Sequence, residues 1–379
     1  MILIEVIFWL SLVLIIWTYF GYYLFLKLIS IFYIKEINRH SFIPPISIVI
    51  TAHNEEIRIR DKIENTLNLN YPGNKLEIII VSDGSTDDTV NIVKSYQNRG
   101  VKLLIIPQQM GKHFGQGKGV EKAQNEIIIL SDSTTFLKQD AVMKMVRNFA
   151  DPTVGCISSS DKIEGAGSQG SGESIYIRYE MQLRELESKV NSLIGASGSF
   201  YSIRKILCNE WHPYMSADFY LPLICKMKGF RTIHEPEALA YYNILRKEKE
   251  EFTRKVRTIV HGIDVLFHFK QVLNPFKYGL FSIQVISHKL IRWLVPYLMI
   301  TIIITNIILV NDGGLYLAIF IAQLLFYCIA IIATFSKRLK NKVIFKIPLF
   351  FIMANVSILV AWYDLLRGQR YTTWKPTKR

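Results

Sequence analysis

The sequence predicts an α/β domain carried on transmembrane helices, and three observations predict it. Short apolar runs alternate with helix-like stretches from residue 44 onward. Polar residues gather directly after those runs, at Thr51 to Glu55, Asp83 to Asp88 and Asp132 to Thr134. Long apolar stretches flank this middle on both sides.

The first element is residues 2–26, ILIEVIFWLSLVLIIWTYFGYYLFL, whose one charge is Glu5. A helix of that length crosses the ~30 Å hydrocarbon core. A cleaved secretory signal is the competing reading, but the run is too long and no basic region precedes it. Further apolar runs cover 293–310, 315–335 and 347–366. Lys27, Lys35 and Arg39 follow the first span, so the positive-inside rule places the middle domain in the cytoplasm of a multi-pass cell-membrane protein. Lys337, Arg338, Lys340, Lys342 and Lys346 are expected on the same side. Counting crossings then puts the basic tail RGQRYTTWKPTKR outside, against the same rule. Either the last run lies in or re-enters from the cytoplasmic face, or the rule fails here. The expected division is an anchor at 1–33, a cytoplasmic domain at 44–245, basic interfacial helices at 246–292, membrane helices at 293–366 and a basic tail at 367–379.

Within the middle, PPISIVITAHNEE reads as strand and turn, and EIIIVSDGSTDDTVNIVKSY as strand, loop and helix. VKLLIIP, EIIILSDS and VGCISSSDKI read as further strands. Short apolar runs separated by helical patterns indicate parallel strands covered on both faces. In open α/β sheets ligands bind at the carboxyl ends of strands, where the three polar clusters fall. Thr86 suits an N-cap, with Asp87 and Asp88 in the first helical turn. Capping accounts for those two acids without a ligand, but not for Asp83. Residues 172–195 carry a helical stripe of Ile175, Tyr179, Leu183, Leu186, Val190 and Leu193, expected to pack on the sheet. Around 252–292 the chain is amphipathic and basic, as in helices lying along a membrane surface. GKHFGQGKG follows a proline-containing turn and has the wrong spacing for a dinucleotide fingerprint. Its Gly115, Gly117 and Gly119 read as a pliable loop.

A net charge of +14 over 379 residues fits anionic lipid and anionic substrates as partners. Nucleic acid is not expected, because the basic residues cluster beside membrane segments. Cys156, Cys208, Cys225 and Cys328 show no CxxC spacing, which argues for reduced thiols rather than disulfides or a zinc site.

TAHNEE, VSDGSTDDT, GKHFGQGKGV, SDSTT, NFADPTVGC, GASGSFYSIRK, SADFYLPL and EFTRKVR occur in an order that resembles the membrane-bound family 2 glycosyltransferases. That group contains the cellulose, chitin and hyaluronan synthases and bacterial exopolysaccharide enzymes. The resemblance runs from about residue 44 to 292. It implies an A-type glycosyltransferase fold, Rossmann-like with a mainly parallel sheet, and a cytoplasmic nucleoside-diphosphate sugar donor, with a UDP-sugar the first expectation. Thr51, His53 and Glu55 would border the nucleoside, and Asp83 would accept a hydrogen bond from the base. Lys112 would lie near the donor. Asp132 would stand beside the diphosphate and its Mg²⁺ or Mn²⁺. Asp218 would be the general base, and Arg254 and Arg257 would meet the pyrophosphate. Inverting transfer needs such a set: an ionised acid to take the acceptor proton, and positive charge on the departing diphosphate.

Bland readings stand beside these: an N-cap for Asp218, and a lipid-facing basic helix for the two arginines. Asp132-Ser133-Thr134 also departs from the family's DxD. One acid suffices if the donor's diphosphate completes the cation's shell, since magnesium keeps several waters and few carboxylates. Ala217 replaces the usual acid before the base, Gly117 replaces a common asparagine, and EFTRKVR lacks the tryptophan of the longest-product synthases. The expected acceptor is a saccharide or a lipid-linked sugar in surface polysaccharide or glycolipid assembly. The alternatives are single-sugar transfer to polyprenyl phosphate, or a catalytically impaired nucleotide-sugar-binding scaffold.

Overall fold

The computed structural model describes residues 1–163, 172–242, 248–336, 339 and 342–371. The chain enters through helix α1 (Ile2–Phe32) and then alternates. Strand β1 (Ile46–Ala52) leads to α2 (Ile59–Leu67), β2 (Leu76–Asp83) to α3 (Thr89–Lys94), and β3 (Val101–Ile106) to α4 (Lys112–Lys122). After β4 (Ile127–Asp132) and the short β5 (Phe136–Leu137) come α5 (Ala141–Val146), β6 (Val154–Ile163), α6 (Gly172–Val190) and β7 (Phe200–Arg204). Helix α7 (Ala217–Met227), β8 (Arg231–Tyr242) and α8 (Glu248–His268) complete the middle. Helices α9 (Leu280–Leu309), α10 (Gly314–Phe335) and α11 (Val343–Leu366) follow; with α1, they make four among the described residues that are long and apolar enough to span a membrane.

The strands form one sheet in the order β3-β2-β1-β4-β7-β6-β8-β5. The β3-β2-β1-β4 half is parallel, whereas β7 runs antiparallel to both β4 and β6. All seven residues of β1 are buried, as expected of a strand covered on both faces. Alternation divides them: Ile46, Ile48 and Ile50 join one core and Val49 the other. The chain builds outward from β1 through β2 to β3, then returns to add β4 on the other flank of β1. That reversal opens a crevice at the carboxyl ends of β1 and β4, where Thr51 pairs in register with Asp132.

Several expectations change. Gly115, Gly117 and Gly119 belong to α4, and close packing explains them better than pliability. A Cβ on Gly115 would lie 2.6 Å from Thr51, one on Gly117 2.5 Å from the Trp211 ring, and one on Gly119 2.3 Å from Val49. Thr86 is not the cap of α3, which starts at Thr89. Instead the Thr86 N–H donates to Asn54 Oδ1, while Asp87 accepts from the Thr89 N–H and hydroxyl and from the Glu56 N–H. Helix α6 meets the sheet as expected, Ser188 bonding His234 and Arg231 of β8, and its stripe also meets the N-terminal helix, where Leu183 and Val190 pack with Tyr22 and Leu26. Ile175 has a side chain outside the described set.

The membrane segment expected from 293 starts at Leu280, because His288, Lys289 and Arg292 interrupt the apolar pattern without ending the helix. His288 and Arg292 turn inward onto Glu180 and Glu187 of α6. After α11 the chain returns to α8. Arg370 pairs with Asp264 at 2.7 Å, and the Tyr371 carbonyl accepts from His261 Nε2 at 2.8 Å. These contacts hold residues 370 and 371 against α8.

Candidate active site

One tetrapeptide, Met110 to His113 at the start of α4, links the three acids singled out in the sequence. The N–H groups of Met110 and Gly111 donate to the two oxygens of Asp83, both at 2.8 Å. Lys112 Nζ reaches Asp132 Oδ1 at 2.5 Å and donates to the Gly198 carbonyl at 2.9 Å. His113 lies against the first turn of α7, its Nδ1 3.4 Å from the Ala217 N–H and 3.0 Å from Gln116 Oε1.

Asp218 occupies the first turn of α7, and Ser216 is the N-cap, so the capping reading of Asp218 does not hold. The Ser216 hydroxyl donates to Asp218 Oδ1 at 2.6 Å. The other oxygen faces Gly198, where a Cβ would come within 3.0 Å of Oδ2. The Gly195–Phe200 stretch holds both acids by backbone: Ala196 N–H donates to the Asp218 carbonyl at 2.7 Å, and Asp132 N–H to the Ser199 carbonyl at 2.9 Å. Asp132 and Asp218 therefore flank one short loop, and Lys112 bridges loop and acid.

The Asp83 side chain is fully buried and both its oxygens accept from the 110–111 backbone, so it clamps the loop from inside. His53 supports the same clamp, its Nδ1 donating to the Asp83 carbonyl at 2.6 Å. Glu55 is buried beside Arg58. Thr51 is buried with its hydroxyl unpaired, at the floor of the crevice. The two arginines diverge. Arg254 lies along its own helix on Glu251, at 2.7 and 2.9 Å. Arg257 has its pKa lowered by burial and by Arg254, while the Asp132 charge opposes that shift.

Two histidines that sequence reasoning passed over stand beside Asp218. The His113 ring meets His261 edge-on, with centroids 6.2 Å apart. Burial, then Lys112, lowers the His113 pKa to about 3, so the imidazole is neutral at neutral pH. Burial also lowers His261. His113 sits inside GKHFGQGKGV, where the glycines drew attention; His261 lies one helical turn beyond Arg257. Lys62 is the other omission, a buried lysine whose pKa burial lowers to about 7 against the pull of Asp132.

Among the described residues no group of three or more His, Cys, Asp or Glu side chains forms a metal cage. Asp132, with 31% of its side chain exposed, offers carboxylate oxygen at the crevice. That suits a hard cation taking the rest of its shell from water and phosphate.

Residues 47–207 match the family Glycosyl transferase family 2. The chain is 26% identical over 230 residues to a poly-beta-1,6-N-acetyl-D-glucosamine synthase of Staphylococcus aureus, covering 58% of this chain and 55% of that protein. It is 24% identical over 298 residues to the Staphylococcus epidermidis protein of the same name, covering 73% and 72%. The chain thus spans about half the length of the Staphylococcus aureus relative. A mannosyltransferase of Pyrobaculum calidifontis, solved with GDP-Man and Mn²⁺, shares the fold at a TM-score of 0.73 and 16% identity over 96% of this chain and 99% of that one. Residues 47–207 thus form a domain that matches Glycosyl transferase family 2, on a Rossmann-like, mostly parallel sheet in a chain that also carries long apolar helices.

Proposed function

We propose that this chain is an inverting glycosyltransferase that moves a sugar from a nucleoside-diphosphate sugar, first of all a UDP-sugar, to a saccharide or lipid-linked acceptor. Its setting is cell-surface polysaccharide or glycolipid synthesis, with the sheet on the cytoplasmic face of the membrane. The observation that carries this reading is the convergence of Asp132, Lys112 and Asp218 on the loop around Gly198. The similarity to exopolysaccharide synthases points the same way.

Asp218 takes the proton of the acceptor hydroxyl as that oxygen bonds to the anomeric carbon and the bond to the diphosphate breaks. The Ser216 hydroxyl fixes one carboxylate oxygen, leaving the other toward the Gly198 side. Lys112 and Arg257 place positive charge where the diphosphate leaves. Asp132 would hold Mg²⁺ or Mn²⁺ together with the diphosphate, and that ion supplies further positive charge to the leaving group. His113 and His261, kept neutral by burial, line the base without adding charge.

The test is a donor panel offered to the full-length protein in detergent, reading released nucleoside diphosphate and the mass of the product. Release with Mg²⁺ or Mn²⁺, lost on chelation, is expected. Silence across UDP-, GDP- and other nucleotide sugars in native membranes would overturn the proposal.

A further inference from the structure

We propose that Lys62 is a positioning residue of the donor site: a buried ammonium that, with Lys112, offsets Asp132 and makes the site take a divalent cation together with a diphosphate rather than alone. This inference rests on reading the crevice as a nucleoside-diphosphate site.

Lys62 lies on α2 between the core residues Ile59 and Ile63, and no part of it reaches solvent. Its Nζ donates to Ser131 Oγ at 2.8 Å and to the Thr135 carbonyl. Those two residues bracket the turn that carries Asp132. The turn is closed by its own backbone, Thr135 N–H donating to the Asp132 carbonyl at 3.2 Å. Lys62 thus pins both ends of a turn whose middle is Asp132-Ser133-Thr134.

Packing alone does not account for a lysine here. A leucine or methionine would fill the same apolar channel without the several kcal/mol that burying an ammonium costs. Both acceptors of Nζ are neutral oxygens, and the acid that favours its charged form is Asp132.

The sum of nearby charge has a consequence. Asp132 is already paired with Lys112 at 2.5 Å, and Lys62, whose charged form Asp132 favours, holds the neighbouring Ser131 hydroxyl. A bare divalent cation therefore meets a carboxylate that is occupied and backed by positive charge. A diphosphate reverses the balance, because its negative charge is attracted by both lysines. The DST turn with its lysine floor is in this sense complementary to a cation–diphosphate pair.

The experiment uses the purified full-length protein in detergent, with Mn²⁺ alone, UDP or GDP alone, and each nucleotide with Mn²⁺. Calorimetry and the electron paramagnetic resonance signal of free Mn²⁺ are the readouts. Wild type should bind Mn²⁺ weakly by itself and strongly with the nucleotide. Lys62→Met should tighten binding of Mn²⁺ alone and weaken binding of the Mn²⁺–nucleotide pair, each by about tenfold. Lys62→Gln keeps a donor for the Thr135 carbonyl without the charge, so it should show the same two shifts and serves if the methionine variant does not fold. If the folded variants keep both wild-type affinities while their melting midpoints fall, Lys62 is only a structural tie and the proposal is overturned. If wild type binds neither nucleotide with Mn²⁺, the donor-site reading itself fails, a different result from unchanged variants.

Discussion

Two clusters of buried charge are built in opposite ways. Where α1, α6 and α9 meet, His288 touches Glu187 at 2.7 Å and Glu180 at 2.9 Å. Arg292 reaches Glu180 at 3.1 Å, and the Tyr22 hydroxyl donates to Glu187 at 2.7 Å. Acids and bases there answer one another, and every member is buried. At the carboxyl edge of the sheet one partly exposed acid, Asp132, stands among Lys112, Lys62 and Arg257. The first cluster joins the domain to the membrane helices and is closed to solvent, although Glu187 Oε2 has no hydrogen-bond partner. The second leaves Asp132, 31% exposed, beside its lysine at an opening. Enclosed charge belongs to architecture, and charge that opens on a crevice belongs to chemistry.

Five substitutions sharpen or break that contrast. Asp218→Asn should lower transfer by about 10²–10⁴-fold, the usual worth of a general base, with nucleoside-diphosphate affinity unchanged. Released nucleotide and calorimetry check it, and full transfer would remove Asp218 from the base role. Glu187→Ala strips His288 and Tyr22 of their shared acceptor and should cost about 3–5 kcal/mol of stability. Its signature is a lower unfolding midpoint with nucleotide affinity intact; the reverse pattern would mean that the clusters are not separate in role. Gly198→Ala sets a methyl 3.0 Å from Asp218 Oδ2. A shift of a few tenths of an ångström should reduce kcat about tenfold, less than the ~10²-fold that a 1 Å misplacement can cost. Arg257→Ala should raise the donor KM about tenfold, the loss of one charge-assisted contact. Arg254→Ala, whose guanidinium rests on Glu251, should stay within about twofold of wild type. Equal effects of the two arginines would contradict their difference in role.

Much of the site was legible because two of its acids, Asp83 and Asp132, end strands. Asp132 follows an apolar run of β4, and that position alone places it at the ligand edge. Asp83 was legible in position, but nothing in VSDGSTDDT tells that Met110 and Gly111 will turn their N–H groups onto it. The glycines of α4 misled for a related reason. Small residues permit either a loose loop or a close approach, and the choice depended on Val49, Thr51 and Trp211, all distant in sequence. Lys62 was hidden because a lysine beside Ile63 on an amphipathic helix reads as the solvent edge of its stripe.

The order of apolar and polar runs by itself determined the alternation of strands and helices, the long apolar helices and the edge of the sheet where polar residues collect. Those follow from local periodicity, which any stretch of chain carries within itself. Only the tertiary structure decided that the 110–113 tetrapeptide ties three acids together, that His288 and Arg292 turn inward within an apolar helix, and that the tail returns to α8. Each of these pairs groups far apart in sequence, and burial made their charges and hydrogen bonds seek one another out of water.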